Sequence, residues 1–274
     1  EGFGVWVMKN GDTYTGTWRR NELQGEGRFE SEDGKRTYTG QWAGGRREGC
    51  GTETTPLGTY VGEWLNERRH GKGVLTTVDG EQYDGEWADD RREGQGIMRF
   101  ANGDVYSGGW HSHRRFGKGT QTYADGGVYV GNWLLDRREG SGSMKFGSGA
   151  TYEGSWNNDE MHGQGTLVTG DGRSYTGEWF NGIRSGRGVY EDDIIKYDGE
   201  WLRGKRHGKG VQTYKKTDMR FEGVWSHGHR LEGLSVTVDG LRIEHHWKEG
   251  LPERPSTMTS IVTPTLYNEP CWFE

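Results

Sequence analysis

Residues 83–96 read Tyr-Asp-Gly-Glu-Trp-Ala-Asp-Asp-Arg-Arg-Glu-Gly-Gln-Gly, and this pattern recurs along most of the chain. It consists of Tyr-x-Gly-x-Trp followed, seven residues after the tryptophan, by Gly-x-Gly. Nine copies have both parts, and their first residues are spaced 22 to 24 residues apart: Tyr14, Tyr38, Tyr60, Tyr83, Tyr106, Tyr129, Tyr152, Tyr175 and Tyr197. A fixed period of this length is typical of repeat proteins built by stacking one supersecondary unit.

The pattern weakens toward both ends of the chain. Phe221 replaces tyrosine in a tenth copy, an eleventh copy around Trp247 keeps little more than the tryptophan, and Gly2-Phe-Gly4 looks like the second half of an earlier copy. Such departures are typical of the caps of a repeat array. We therefore predict three regions: a remnant of a preceding repeat (1–13), an array of ten recognisable copies with a decayed C-terminal cap (14–250), and a proline-containing extended segment (251–274).

Each copy is predicted to form a β-hairpin. Tyr83, Gly85 and Trp87 are two residues apart, so they share one face of a strand. The polar residues after the tryptophan are expected to turn the chain, and Gly94 begins the return strand, whose glycines leave room for an aromatic ring against the backbone. Asp-Gly and Asn-Gly pairs between copies favour tight hairpin turns. The predicted fold is all-β, an elongated solenoid-like antiparallel ribbon with about two strands per 23-residue repeat.

Composition and charge exclude several classes of protein. Glycine supplies 50 of 274 residues, but 13 tryptophans and 13 tyrosines argue against disorder, because disordered chains contain few aromatic residues. No apolar run approaches the ~18 residues of a transmembrane helix. The net charge of −6 argues against a nucleic acid partner. The only two cysteines, Cys50 and Cys271, are far apart in the sequence, which favours a reducing intracellular compartment.

Catalytic motifs are not found, so we expect no enzyme activity and no cofactor. The Gly-x-Gly pairs are expected inside strands, without the helix N-terminus that a phosphate loop needs. Two His-x-His pairs, His111/His113 and His227/His229, could contribute to a metal site only with a further ligand. Solvated loop histidines are the simpler interpretation, and no metal site is predicted.

The most regular surface feature is a pair of arginines that follows the tryptophan in five consecutive copies. The ten residues form a candidate stripe for binding a partner or a lipid: Arg46, Arg47, Arg68, Arg69, Arg91, Arg92, Arg114, Arg115, Arg137 and Arg138. Stacked hairpins would place successive pairs ~10 Å apart. The stripe could bind acidic protein segments or anionic lipid, or it could form a solvated charge lattice with the neighbouring acids.

The aromatic residues of the pattern are predicted to hold the fold. This structural core consists of Tyr14, Trp18, Trp42, Trp64, Trp87, Trp110, Trp133, Trp156, Trp179, Trp201 and Trp225. The C-terminal residues 266–273 are apolar, and we expect them to pack on the last repeats or on a partner.

The pattern Tyr-x-Gly-x-Trp-x-x-Gly-x-x-x-Gly-x-Gly at this period resembles the MORN repeat (membrane occupation and recognition nexus) over residues 2 to 250. The resemblance implies a structural scaffold that binds proteins of a cytoskeletal or axonemal complex, in the cytoplasm, at a cilium or flagellum axoneme, radial spoke or basal body. Homodimerisation through the ends of the array is a further expectation. Two alternatives stay open, a membrane-associated module that binds anionic phospholipids and a regulatory array of a larger enzyme.

Overall fold

The computed structural model describes residues 1–248, 251–252 and 258–259, and this part of the chain contains strands and turns but no helix. It divides into two compact units, residues 1–147 and 148–274. The first unit contains thirteen strands: β1 (Gly2–Val7), β2 (Thr13–Arg19), β3 (Glu22–Glu30), β4 (Thr37–Ala43), β5 (Arg46–Thr55), β6 (Gly58–Leu65), β7 (Arg68–Thr77), β8 (Gln82–Ala88), β9 (Arg91–Arg99), β10 (Val105–His111), β11 (Arg114–Thr122), β12 (Val128–Leu134) and β13 (Arg137–Lys145).

The second unit contains nine long strands and two short ones. They are β14 (Thr151–Asn157), β15 (Glu160–Val168), β16 (Ser174–Phe180), β17 (Ile183–Glu191), β18 (Ile195–Leu202), β19 (Lys205–Tyr214), β20 (Arg220–Ser226), β21 (His229–Val236), β22 (Arg242–Lys248), β23 (Leu251–Pro252) and β24 (Met258–Thr259). The short strands β23 and β24 both pair with β22. The rest of the predicted C-terminal segment, with Cys271 and the apolar end, lies outside the described residues.

Within each unit, every long strand pairs antiparallel with the strands before and after it in the sequence. In the first unit Gly108 faces Gly96 on one side and Gly119 on the other, and Gly119 in turn faces Gly131. The glycines of successive copies thus form one row across the sheet. This arrangement confirms the prediction of stacked antiparallel hairpins with two strands per repeat.

The tightest turn of each repeat lies between the tryptophan and the arginine pair. Asp89 and Asp90 have φ angles of 49° and 67°, and Arg91 already begins β9. Two successive positive φ angles are those of the type I′ turn that closes a two-residue hairpin. In the Asp79-Gly80 connection between repeats only Gly80 has a positive φ. Our expectation that the arginines lie in a turn is therefore wrong, because they begin a strand.

In four repeats a glutamate lies beside the irregularity that follows the first glycine of the pattern. The pairing of β8 with β9 shifts register between Gly85 and Trp87. Beside this bulge, Glu86 accepts a hydrogen bond from the backbone N–H of Gln95 (3.1 Å). Glu63, Glu178 and Glu200 make the same contact in other repeats, at 2.9 to 3.0 Å. In these four repeats the glutamate stabilises the bulge, but the same register shift occurs where Gly109 or Ser155 takes its place.

The core of each unit is a layer of tyrosines and tryptophans on one face of the sheet, here called the inner face. Tyr106 is fully buried and packs edge-to-face on Trp110 of its own repeat and Trp133 of the next, with ring centroids 5.2 and 5.4 Å apart. Its hydroxyl donates to the carbonyl of Gly109, and the Trp110 indole donates to the carbonyl of Gly96 in the preceding repeat. The aromatic rings therefore join neighbouring repeats to one another.

The predicted core tryptophans take these positions, with one exception near the N-terminus. Nine of them are 6% exposed or less: Trp42, Trp64, Trp87, Trp110, Trp133, Trp156, Trp179, Trp201 and Trp225. Tyr14 and Trp18 are half-buried, next to Trp6 of β1. The tenth copy continues the pattern, because Phe221 is fully buried in place of tyrosine.

Candidate binding surface

The two arginines of each pair point to opposite faces of the sheet. In β9, Arg91 pairs in register with Ala88 and Arg92 pairs with Trp87. Because side chains alternate along a strand, the second arginine joins the tryptophan on the inner face and the first lies on the outer face. The predicted stripe is thus split into an inner row and an outer row.

The inner row consists of Arg47, Arg69, Arg92, Arg115 and Arg138, which are all half-buried. The guanidinium of Arg69 lies 4.5 Å from the ring centre of Trp87 and 5.7 Å from that of Tyr60. Its Nε donates to the Asp90 carboxylate at 3.0 Å, and its backbone N–H donates to the same oxygen at 3.1 Å. Cation–π contacts of this kind contribute ~1–2 kcal/mol when partly desolvated. The inner arginines therefore also join successive repeats.

The outer row consists of Arg46, Arg68, Arg91, Arg114 and Arg137, which are all exposed. Arg68 lies 3.7 Å from Asp89, with both side chains more than half exposed, so this pair adds little stability. Arg91 and Arg114 make no ion pair with any residue that the structure describes. With one arginine per repeat, the outer row offers cations ~10 Å apart.

The acidic residues near the arginines serve mainly other partners. Glu67, Asp90 and Asp136 accept hydrogen bonds from inner arginines. Glu93 lies 2.6 Å from the ring nitrogen of His111, and a hydrogen bond from the backbone of Ser112 is the largest cause that lowers its pKa. The charge of Arg91 also lowers the pKa of Glu93, but neither Arg91 nor Arg114 forms a salt bridge with an acid among the described residues.

A depression of about 240 Å³ opens on the inner face between Arg69 and Arg92. Tyr83 and Trp87 form part of its lining, together with Arg69, Leu75, Thr77, Glu81, Arg92, Met98 and His113. The sequence analysis did not predict this site. Met98 lines the depression and pairs with Tyr83 of the neighbouring strand. In each complete copy, the residue at this position follows the tyrosine by 15 residues. This constant spacing from the tyrosine is the sequence signal that could have identified Met98 as a lining residue.

The histidines do not assemble into a metal centre. His111 contacts Glu93, while His113 lies in the next turn and accepts a hydrogen bond at Nδ1 from the backbone of Arg92. The ring of His227 packs on that of His207, 5.4 Å away. In the described part of the chain, no group of three or more His, Cys, Asp or Glu side chains could hold a metal ion.

Comparison with known proteins agrees with the geometry of the hairpins. The model of the MORN repeat family matches nine segments between residues 14 and 219, namely 14–36, 38–58, 60–82, 83–105, 106–128, 129–151, 152–172, 175–193 and 197–219. The chain belongs to the MORN-repeat family. It is thus a repeat protein of a class that mediates protein or membrane interactions.

Solved structures resemble this MORN protein only weakly. The TCP domain of SAS-4 (dCPAP) from Drosophila melanogaster, solved with a proline-rich motif of Ana2 (dSTIL), is 10% identical, with a TM-score of 0.38 over 65% of this chain and 90% of that one. The TCP10 domain of Danio rerio CPAP, solved with a STIL peptide, is 13% identical, with a TM-score of 0.33 over 81% and 93%. Likenesses of this size carry no argument about function.

Two further findings complete the comparison. No curated protein matches the chain. Among the residues with described structure, no helix is long and apolar enough to cross a membrane.

Proposed function

We propose that this MORN array is a non-enzymatic scaffold that binds protein partners in a cytoskeletal or ciliary assembly, such as an axoneme, radial spoke or basal body, within the cytoplasm. The observation that carries the proposal is the outer arginine row. Arg91 and Arg114 are exposed and form no salt bridge with the described residues, while the rings and inner arginines of the same repeats hold the backbone beneath them. Partner proteins with acidic segments would meet cations at a fixed spacing.

The inner contacts make this surface suitable for a scaffold. Because each tryptophan and each inner arginine binds a neighbouring repeat, the spacing of the outer arginines is set by the sheet and not by flexible loops. Repeat arrays of this kind present several binding positions in a row. Self-association through the ends of the array belongs to the same proposal and would be measured as the mass of the purified chain in solution.

Anionic lipid is the second candidate for the outer row. A basic residue close to an anionic membrane contributes about 1 kcal/mol. The net charge of −6 opposes this attraction over the molecule as a whole. Protein partners are therefore the better supported ligand.

The proposal is tested by reversing the charge of the outer row. A fourfold variant, Arg46→Glu, Arg68→Glu, Arg91→Glu and Arg114→Glu, is compared with a control that makes the same charge change at exposed positions elsewhere, Lys72→Glu, Arg99→Glu, Lys118→Glu and Lys145→Glu. The tagged proteins are imaged in ciliated cells before and after detergent extraction. We expect the wild type and the control to stay on an insoluble structure and the outer-row variant to be released.

Two results would contradict the proposal. Retention of the outer-row variant would show that the row binds no partner. Release of the wild type with the membrane fraction, together with binding of the purified protein to phosphatidylserine vesicles but not to phosphatidylcholine vesicles, would assign the row to lipid.

A further inference from the structure

Arg92 differs from the neighbouring inner arginines in its contact with the turn of the following repeat. Each is expected to bind a carboxylate supplied by the turn of the following repeat. Arg47 binds Glu67, Arg69 binds Asp90 and Arg115 binds Asp136, with Nε to carboxylate distances of 2.8, 3.0 and 3.3 Å. In each case the acid is the second residue of the two-residue turn, where φ lies between 67° and 72°. A half-buried guanidinium is thereby neutralised within the chain.

At Arg92 the acid is missing. The equivalent turn position holds His113, which accepts the backbone N–H of Arg92 at Nδ1 (3.3 Å) and a guanidinium N–H at its carbonyl oxygen (3.1 Å). The other guanidinium contact is Met98 Sδ at 3.6 Å, a weak acceptor. Arg92 makes no ion pair with a residue in the described part of the chain, and its Nε has no hydrogen-bond partner there.

The electrostatics agree with the missing contact. Burial lowers the pKa of the Arg92 guanidinium. A buried charge without a partner is costly, and a carboxylate that reaches it gains a strong charge-assisted hydrogen bond. The position therefore favours an anion from outside the chain.

Arg92 also lines the depression on the inner face. The depression has a volume of about 240 Å³ and is open to solvent, so a side chain from outside the chain can enter it. Its lining combines this cation with Leu75, Met98 and the ring of Tyr83. Glu81 is its one carboxylate, and it makes no ion pair with Arg92. A short acidic side chain next to an apolar one fits this combination.

Two arginines of the second unit also lack a turn acid, because Gly204 and Gly228 occupy the equivalent turn position. Arg184 donates to the carbonyl of Gly204, and Arg206 donates to the side-chain oxygen of Gln212. Burial lowers the pKa of both guanidinium groups, as it does for Arg92. Arg206 has an amide oxygen where Arg92 has only the Met98 sulfur, and Arg184 does not line the depression described above.

We propose that Arg92 binds an aspartate or glutamate side chain of a partner protein, which takes the place of the turn acid, while an adjacent apolar side chain of the partner enters the depression beside Leu75 and Met98. This inference rests on the proposed role in protein interactions. It concerns the inner face, whereas the outer arginine row carries that role. His113→Asp, described below, changes only the inner face, so failure of this inference can be told apart from failure of the proposed function.

The experiment is a titration of the purified full chain with a blocked nine-residue peptide of alternating leucine and glutamate, and with its glutamine counterpart. Tryptophan emission reports binding, because the Arg92 guanidinium lies 4.6 Å from the ring centre of Trp110. We expect saturable binding of the glutamate peptide and about tenfold weaker binding of the glutamine peptide, the factor that follows from losing a charge-assisted hydrogen bond.

His113→Asp supplies the missing acid within the chain. The backbone tolerates it, because Asp90 and Asp136 have φ angles of 67° and 72° where His113 has 70°. We expect this variant to bind the glutamate peptide about tenfold more weakly and to unfold at a higher urea concentration than the wild type. The control is Ser107→Asp, which adds the same charge at an exposed position of β10 that belongs to neither arginine row. We expect it to leave the affinity unchanged.

Several outcomes would overturn the proposal. These are equal binding of the two peptides, no saturable binding at millimolar peptide, wild-type affinity or lower stability in the His113→Asp protein, and an equal loss of affinity in the Ser107→Asp protein.

Discussion

Replacing Gly119 by alanine tests the packing of tyrosine against glycine. A Cβ atom at this position would lie 2.6 Å from Tyr106 Cε2 and Cζ, and closer still to its hydroxyl oxygen. The ring has no free space to move into, because Trp110 and Trp133 flank it and it is fully buried. Displacing it costs its hydrogen bond, about 1 kcal/mol, and weakens two edge-to-face pairs, each ~0.5–1.5 kcal/mol. With the lost burial we expect a destabilisation of about 3–4 kcal/mol.

The same Gly-x-Gly pair provides the control. At Gly117 a Cβ atom would meet no heavy atom within 4 Å, but φ is +70°. Alanine at position 117 should lower the free energy of unfolding only through its left-handed backbone conformation, by about 1–2 kcal/mol. Urea unfolding followed by circular dichroism and tryptophan emission measures both variants. Equal losses at the two positions, or a loss below about 1 kcal/mol at Gly119, would refute the argument that the glycine exists to admit the ring.

Two further predictions concern the aromatic core. Trp110→Ala should lower the free energy of unfolding by about 3–5 kcal/mol, since it removes a buried indole that contacts two tyrosines; an unchanged urea midpoint would contradict this. Burial raises the pKa of Tyr152, Tyr175 and Tyr197 to about 12, above the value of ~10 in the unfolded chain. The native state therefore holds these protons more tightly, so this contribution to stability is complete below pH 10 and is lost as the pH rises from about 10 to 12. Phenolate absorbance and the urea midpoint, followed together against pH, check this; ionisation near pH 10 in a chain that keeps its native circular dichroism would contradict it.

Much of the fold follows from the sequence because its interactions are local and repeated. The spacing of Tyr83, Gly85 and Trp87 was enough to place them on one face, and the glycines were correctly expected to admit an aromatic ring. The position of the arginines was not predicted correctly, because the polar stretch after the tryptophan was taken as a turn. Side chains alternate along a strand, so Gly96, Gly94 and Arg92 lie on the same, inner face. This alternation was enough to predict the position of Arg92.

The depression at Arg92 could not be predicted from one copy of the pattern. The acid that neutralises an inner arginine is 20 or 21 residues further along the chain, in another hairpin. Only the register of adjacent strands shows that His113 stands where Asp90 and Asp136 stand in other repeats. The predicted binding role of the outer arginines stays a prediction.

The register of the glycine row also limits how such a chain can change its length. Each of the strands β2 to β12 pairs with its sequence neighbours, so a whole hairpin of 22 to 24 residues could be duplicated or deleted while the remaining strands keep their partners. A single residue inserted within β10 would instead move Tyr106 to the outer face and leave a gap beside Gly119. Length differences between copies are accordingly found in the connections, such as residues 31–36 and 56–57. Outside these connections, evolution can lengthen or shorten this molecule only in steps of one hairpin.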